Sequence, residues 1–120
     1  MKTNAKLDKE EFRDHVFQIV SLIPEGRATS YGIIARAIGY PKLSRMVGRV
    51  LANSTANCIP AHRVVSSQGI LSGKDAFETP TIMQELLESE GIIVENNRIK
   101  NWKRIVWDPL EEFPFDDELL

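Results

Sequence analysis

The 120-residue chain has one cysteine, Cys58, and two histidines, His15 and His62, far apart. One thiol cannot close an internal disulfide, and ligands so few and so separated give no zinc-binding spacing, so neither a disulfide framework nor a structural metal is expected. No apolar run approaches the roughly 18 residues of a membrane span, and the polar stretch from Met1 to Asp8 lacks the apolar segment of a secretory signal. The expectations are a cytoplasmic location, no membrane association and no cofactor. Low-complexity tracts and internal repeats are also missing, and a hydrophobic content of 42% excludes wholesale disorder. A chain of this length supports one domain with one modest core.

Charge of one sign is missing in two places. Between Gly26 and Lys74 there is no acidic residue but seven basic ones: Arg27, Arg36, Lys42, Arg45, Arg49, Arg63 and Lys74. From Asp108 onward there is no basic residue, only Asp108, Glu111, Glu112, Asp116, Asp117 and Glu118 among the charges. The net charge of −2 therefore hides a body, residues 1–107, with fifteen basic and eleven acidic residues. A basic middle of this kind suits either phosphate binding by counterion release or a merely solvated face. The boundaries read as a domain over 8–107 and an acidic tail over 108–120.

Asp8 followed by Glu11 resembles a capping box, and Phe12, Val16, Ile19, Val20 and Ile23 then recur at helical spacing until Pro24 and Gly26. Thr29 or Ser30 can cap a second helix, with Tyr31, Ile34, Ala35 and Ile38 on one face and Gly39-Tyr40-Pro41 at its end; Ser44 is expected to cap a third. The short connection predicts a helix-turn-helix whose third helix is the candidate reader of DNA. Beyond it, "HRVVSSQGILS" reads as strand, turn and strand, and "IIVENNRIK" as a short hairpin. Thr79-Pro80 is expected to open a fourth helix running through Ser89. The fold class is thus mainly α with small β hairpins, a helix-turn-helix or winged-helix-like domain.

In the third helix, "SRMVGRVLAN", Val47, Val50 and Leu51 make a buried side, while Arg45, Gly48, Arg49 and Ala52 share the other. Two long cations then flank a strip nearly bare of side chain. Glycine there costs about 1 kcal/mol relative to alanine, which either tight packing or close approach of a partner would justify. On the fourth helix, Glu90 falls at the edge of the apolar arc of Ile82, Met83, Leu86 and Leu87. A carboxylate buried there needs a donor, for which His62 and Arg63 are the candidates; a surface glutamate at a helix end is the alternative.

Through "IPEGRATSYGIIA", "SRMVGRVLANS", "IPAHRVV" and "LLESEG", the chain from Phe12 to Trp107 resembles the C-terminal domain of the alkylguanine-DNA alkyltransferases, and within it the alkyltransferase-like proteins that lack the reactive cysteine. In the enzymes a cysteine between the proline and histidine of the third segment accepts an alkyl group from O6 of guanine; here Ala61 stands there. The resemblance implies roles residue by residue. Tyr31 presses on the phosphate of the target nucleotide, unless it is a plain core aromatic. Arg45 is the finger that fills the gap left by a rotated nucleotide, and Gly48, Arg49 and Ala52 complete the DNA-binding face of a helix lying in the minor groove. Pro60, Ala61, His62, Arg63 and Lys74 belong to the lesion pocket, which alanine should leave roomy enough for larger alkyl groups. Asn53 bridges the recognition helix to the pocket turn, and Glu90 pairs with His62 as inherited scaffold.

An alanine methyl cannot attack a carbon, so the implied function is non-enzymatic recognition of O6-alkylguanine in duplex DNA by nucleotide flipping, with hand-off to nucleotide excision repair proteins. A monomer is expected. Two competitors stand beside this reading. Cys58 could carry the transfer, although an extended segment would turn it away from Ala61 and a lone cysteine is usually core. A sequence-specific helix-turn-helix regulator is the other, against which "SRMVGRV" offers few residues able to read base edges. The tail "DPLEEFPFDDELL" sets Phe113, Phe115, Leu119 and Leu120 among carboxylates, which suits a docking segment, a cover for the DNA face or a solubilising end.

Overall fold

A computed structural model describes residues 7–54 and 58–112. Helix α1 (Lys9–Leu22) begins as the sequence predicts: the Asp8 carboxylate accepts from the N–H groups of Glu10 and Glu11 at 3.0 and 3.2 Å, satisfying two donors that the first turn leaves orphaned. Phe12, Val16 and Val20 form its buried stripe, and Ile23 joins them just past its end. Ser30 caps α2 (Tyr31–Ile38) by accepting from the Ile33 N–H at 3.1 Å, and Gly39 ends it with a left-handed φ of 103°. Thr29 is freed for β1 (Thr29–Ser30).

Ser44 does not cap α3 (Ser44–Ala52); it is the first helical residue. The turn after Pro41 closes with Leu43 N–H donating to the Tyr40 carbonyl, and the Val47 N–H bonds the Leu43 carbonyl at 3.1 Å, so the helical ladder starts one residue before the serine. The fourth helix is also displaced. Helix α4 (Ile82–Ser89) has Thr81 as its N-cap residue, while the Thr79 hydroxyl lies 3.4 Å from that of Thr81 instead of capping. Its apolar arc buries Met83 and Leu87 but leaves Leu86 exposed.

The stretch read as a strand-turn-strand unit splits. Ala61–Arg63 forms a 3-10 turn, and only Val64–Val65 is strand, β2, paired in parallel with β1 in the register Thr29 to Val64 and Ser30 to Val65. Ser66 and Gly69 close a turn, but Ile70 bridges Arg98 across the fold. Alternation and turn residues reveal that a strand exists; they carry no information on a partner some 35 residues away. The second hairpin is as expected: β3 (Val94–Glu95) pairs antiparallel with β4 (Arg98–Ile99) around Asn96 and Asn97, both left-handed, as a two-residue primed turn requires. Two short helices, α5 (Trp102–Ile105) and α6 (Pro109–Glu112), complete the described chain.

Val64 and Val65 explain how the halves join. Consecutive strand residues face opposite ways, so Val64 enters the cluster of α1, α2 and α3 with Phe12, Val16, Ile34, Val47, Leu51, Ala61 and Trp107. Val65 enters the second cluster, with Leu71, Met83, Leu87, Val94 and Ile99. The acid-rich C-terminal stretch does not separate from the body at residue 108. Asp108 pairs with Arg36 at 2.7 Å, Pro109 is buried, and Glu112 meets Arg27 at 3.3 Å; the remainder of the tail, 113–120, lies outside the described residues.

Trp107 has the largest fully buried side chain, and its backbone N–H donates to the Ala28 carbonyl at 2.7 Å. Replacing it with alanine is expected to lower the unfolding free energy by about 3–5 kcal/mol, read as an earlier midpoint in chemical denaturation.

Candidate nucleic-acid interface

The seven cations of the acid-free stretch divide by partner. Arg27, Arg36 and Arg63 each meet a carboxylate and serve the fold. Among the described residues Lys42, Arg45, Arg49 and Lys74 make no such pair. The two arginines of α3 stand with Ala52 on its exposed side, opposite buried Val47 and Leu51; Val50 is half-buried. The amphipathic split expected from the sequence is therefore present, with unneutralised charge on the outer face.

Beside that face lies an open hollow of about 590 Å³, lined by Tyr31, Ser44, Arg45, Gly48, Ala52, Ser72, Gly73, Asp75 and Ala76. Tyr31, Gly48, Ala52, Gly73 and Ala76 also wall a far smaller pocket beneath, about 30 Å³, whose other sides are Leu51, Ala61, Val64, Phe77 and Met83. Ala61 thus sits at the inner end of a passage that begins at Arg45. The inner pocket holds about one water. The roomy pocket expected from alanine is not found: Phe77 and Met83 close in on the space, and the available volume lies in the outer hollow.

Tyr31 stands between the two spaces, at the first position of α2, where the Ser30 cap fixes its backbone. Its ring lies against Gly48, where an added Cβ would sit 3.7 Å from two ring carbons, an ordinary contact. Packing therefore does not require glycine at 48. Gly73 is different, since a Cβ there would fall 2.5 Å from the Tyr31 hydroxyl oxygen. Its φ of −93° suits any residue, so it is the close approach of Tyr31, not backbone conformation, that favours glycine: a side chain at 73 would have to displace the Tyr31 hydroxyl. Burial raises the Tyr31 phenol above its usual 10, partly opposed by a hydrogen bond with the Ser72 side chain, and keeps it neutral.

On the other side of the Ala61 turn, the side chains of His62 and Arg63 converge on Glu90. The Glu90 carboxylate lies 2.7 Å from His62 Nε2, accepts from Arg63 Nε at 3.0 and 3.1 Å and from Arg63 Nη2 at 2.8 Å, and receives the Gly26 N–H at 3.1 Å. Arg63 Nη1 also donates to the Ile23 carbonyl at 2.8 Å. Burial alone would raise the Glu90 carboxyl, but the hydrogen bonds from Arg63, His62 and the Gly26 N–H outweigh it and hold the group down at about 2.

Of the residues assigned to a lesion pocket, only Ala61 lines the passage. His62 and Arg63 turn toward Glu90, Pro60 precedes the 3-10 turn, and Lys74 lies outside the lining although its neighbours Gly73 and Asp75 belong to it. Asn53 is exposed at the end of α3, its N–H bonded to the Arg49 carbonyl at 3.3 Å, and its side chain makes no hydrogen bond among the described residues; the bridging role is not seen there. Cys58 is neither core nor on an extended segment: it is exposed, with a left-handed φ of 59°, and does not line the passage. Ser72, Gly73, Ala76 and Phe77 were not singled out by sequence reasoning. The short side chains of "SGKDA" were the available signal, and only the fold brings them to Tyr31.

A helix-turn-helix whose third helix carries cations without a carboxylate partner among the described residues, beside a passage ending at buried Ala61, defines a nucleic-acid-binding domain built around a recess. Residues 11–92 match the family model of the 6-O-methylguanine DNA methyltransferase DNA-binding domain, and the chain belongs to that family. It is 30% identical to alkyltransferase-like protein 1 of Schizosaccharomyces pombe over 83% of this chain and 97% of that one. It is 36% identical to the DNA base-flipping protein of Escherichia coli, over 86% and 80% of the two chains. Among solved structures, S. pombe Atl1 in complex with damaged DNA containing O6-carboxymethylguanine superposes with a TM-score of 0.77 at 30% identity, covering 86% of this chain and all of that one. The alkyltransferase-like fold read from the sequence is thereby established.

The depressed Glu90 carboxyl ties stability to acid. Between about 2 in the folded state and 4.5 in the unfolded one, the unfolded chain binds the extra proton, so stability rises with pH across that window. The contribution, up to about 3 kcal/mol, is complete above the unfolded value and gone below the folded one. Glu90→Gln should lower stability at neutral pH and flatten the acid limb, as followed by denaturant midpoints from pH 2 to 7.

Proposed function

We propose that this protein recognises duplex DNA carrying an O6-alkylated guanine, places α3 in the minor groove, rotates the modified nucleotide toward the hollow beside Tyr31 and transfers no alkyl group. The observation that carries this reading is Ala61 at the inner end of the passage, in the turn where the alkyltransferases present their thiol. A methyl group has no lone pair with which to attack. The damaged-DNA complex of the S. pombe relative supports the lesion class. Cys58, exposed and outside the passage, offers no substitute nucleophile for the bound base.

In this reading Arg45 fills the gap in the stack, Tyr31 meets the backbone of the turned nucleotide, and the bare strip of Gly48 and Ala52 admits the sugar-phosphate walls of the groove. Rotation costs a few kcal/mol, less where alkylation has already weakened pairing, which favours damaged guanine before any pocket contact. An alkylated base enters the outer hollow first; the inner space walled by Ala61, Phe77 and Met83 has room for only about one water. The proposal extends to delivering the distorted duplex to nucleotide excision repair proteins, a step that rests on the family resemblance.

The deciding measurement is a titration with two duplexes differing only at O6 of one guanine. Tighter binding to the modified duplex is expected, and Arg45→Ala should erase most of the difference; equal affinities for the unmutated protein would sink the reading. Gly48→Ala separates folding from binding. It should stabilise the free protein by up to about 1 kcal/mol, because the new methyl makes only an ordinary contact with Tyr31, yet weaken DNA binding by intruding on the strip.

A further inference from the structure

The crest of α3, carrying Arg45 and Ala52, has a shoulder on each side. One shoulder, Ser44 and Gly48, opens on the hollow beside Tyr31. The other faces a second groove of about 620 Å³ that α3 forms with α1. Arg49 of α3 stands at its edge together with Lys9 and Arg13 of α1, over a floor that includes Phe17 and Val50, and Asp14 is the one carboxylate in the lining. Lys9 and Arg13 lie one helical turn apart, so their side chains project to the same side with a spacing of about 5–6 Å. All three cations are exposed and none has a carboxylate partner among the described residues, although Glu10, Glu11 and Asp14 are close in sequence.

We infer that this groove is a clamp for the phosphates of the undamaged strand. The inference rests on the minor-groove reading above and extends it. A helix about 10–12 Å across cannot enter a groove about 6 Å wide without bringing both backbones against its flanks. The strand bearing the lesion passes the shoulder at Tyr31; its complement must then run along the opposite shoulder, where Arg49, Lys9 and Arg13 wait. Arg49 belongs to both the crest and the groove, so the two surfaces are continuous. The clamp holds the complement while the opposite nucleotide turns out, and it does so without reading sequence or damage, because phosphates carry neither.

The test compares the full chain with Lys9→Gln/Arg13→Gln in binding modified and unmodified duplexes across salt concentrations. Each lost phosphate contact removes about 0.9 from the slope of log affinity against log salt. The double variant should therefore show a slope lower by about 2, and between 50 and 200 mM salt should lose roughly tenfold less affinity than the parent. The ratio between modified and unmodified duplexes should stay the same, in contrast to Arg45→Ala. Asp14→Asn should strengthen binding to both duplexes. A matched loss of charge on α5, Lys103→Gln/Arg104→Gln, should leave the slope unchanged; a drop equal to that of the groove variant would reduce the effect to net charge and overturn the clamp. An unchanged slope in Lys9→Gln/Arg13→Gln would also overturn it, and would leave the apolar floor to an acidic protein segment. Should the parent protein prefer neither duplex, the lesion reading fails while the slope comparison on plain DNA still decides the clamp.

Discussion

The Glu90 carboxylate is the constraint on which the rest depends. It lies at the end of α4, yet it gathers His62 and Arg63 from the Ala61 turn and the N–H of Gly26 from the turn after α1. Arg63 carries the link on to the Ile23 carbonyl at the end of α1. Three segments distant in the chain, residues 23–26, 61–63 and the end of α4, are thus fixed around one charged group. With side-chain exposures of 15% for Arg63 and 9% for Glu90, the pair has given up most of its hydration, and only the number of bonds makes the burial tolerable. Removing either partner would leave the other buried without its countercharge or with a weaker one: Glu90 would keep His62 and the Gly26 N–H, and Arg63 only the Ile23 carbonyl. Its product is the placement of the Ala61 turn under α3 and Tyr31.

The same logic sorts the cations. An acid-free stretch from Gly26 to Lys74 looks uniform on paper, but three of its arginines are spent on Glu112, Asp108 and Glu90. Arg27 is the more heavily used of the two outside the Glu90 network, bonding the Ile105 and Val106 carbonyls as well as Glu112. Glu112 and Asp108 therefore neutralise Arg27 and Arg36, while the arginines of α3 have no carboxylate partner among the described residues. A net charge of −2 is compatible with a basic binding face because the compensation is local.

What the sequence made legible followed from short-range physics. The Asp8 cap, the stripe of Phe12, Val16 and Val20, the Gly39 stop and the Asn96-Asn97 turn each depend on residues within one or two turns of one another. The two faces of α3 could be read for the same reason. The need of Glu90 for a donor was legible from its place on an apolar arc, and the donors proved to be the candidates named. Failures concentrate where distance in the chain is large. The parallel pairing of Val64–Val65 with Thr29–Ser30 joins elements that share no local signal, and Gly73 has an ordinary φ, so nothing near it announces that Tyr31 will occupy its side-chain space. Lys74 drew attention as a charge, whereas the passage is built from its small neighbours. The shifts at Ser44 and Thr81 are of another kind: a hydroxyl near a helix start is a cap only if the ladder begins after it, and here turns upstream set the ladder.

A small apolar side chain at position 61 suits this architecture, and the reason is geometric. The turn is specified by backbone bonds, Ala61 N–H to the Ile59 carbonyl and Arg63 N–H to that of Pro60, and by the side chains of His62 and Arg63, which turn to Glu90. The side chain at 61 contributes only a wall. It belongs to the apolar cluster with Leu51 and Val64, so a small hydrophobic group there is accommodated by packing that exists for other purposes. Each feature that shapes the passage, from the Ser30 cap of α2 to the approach of Tyr31 on Gly73, is fixed without reference to a thiol.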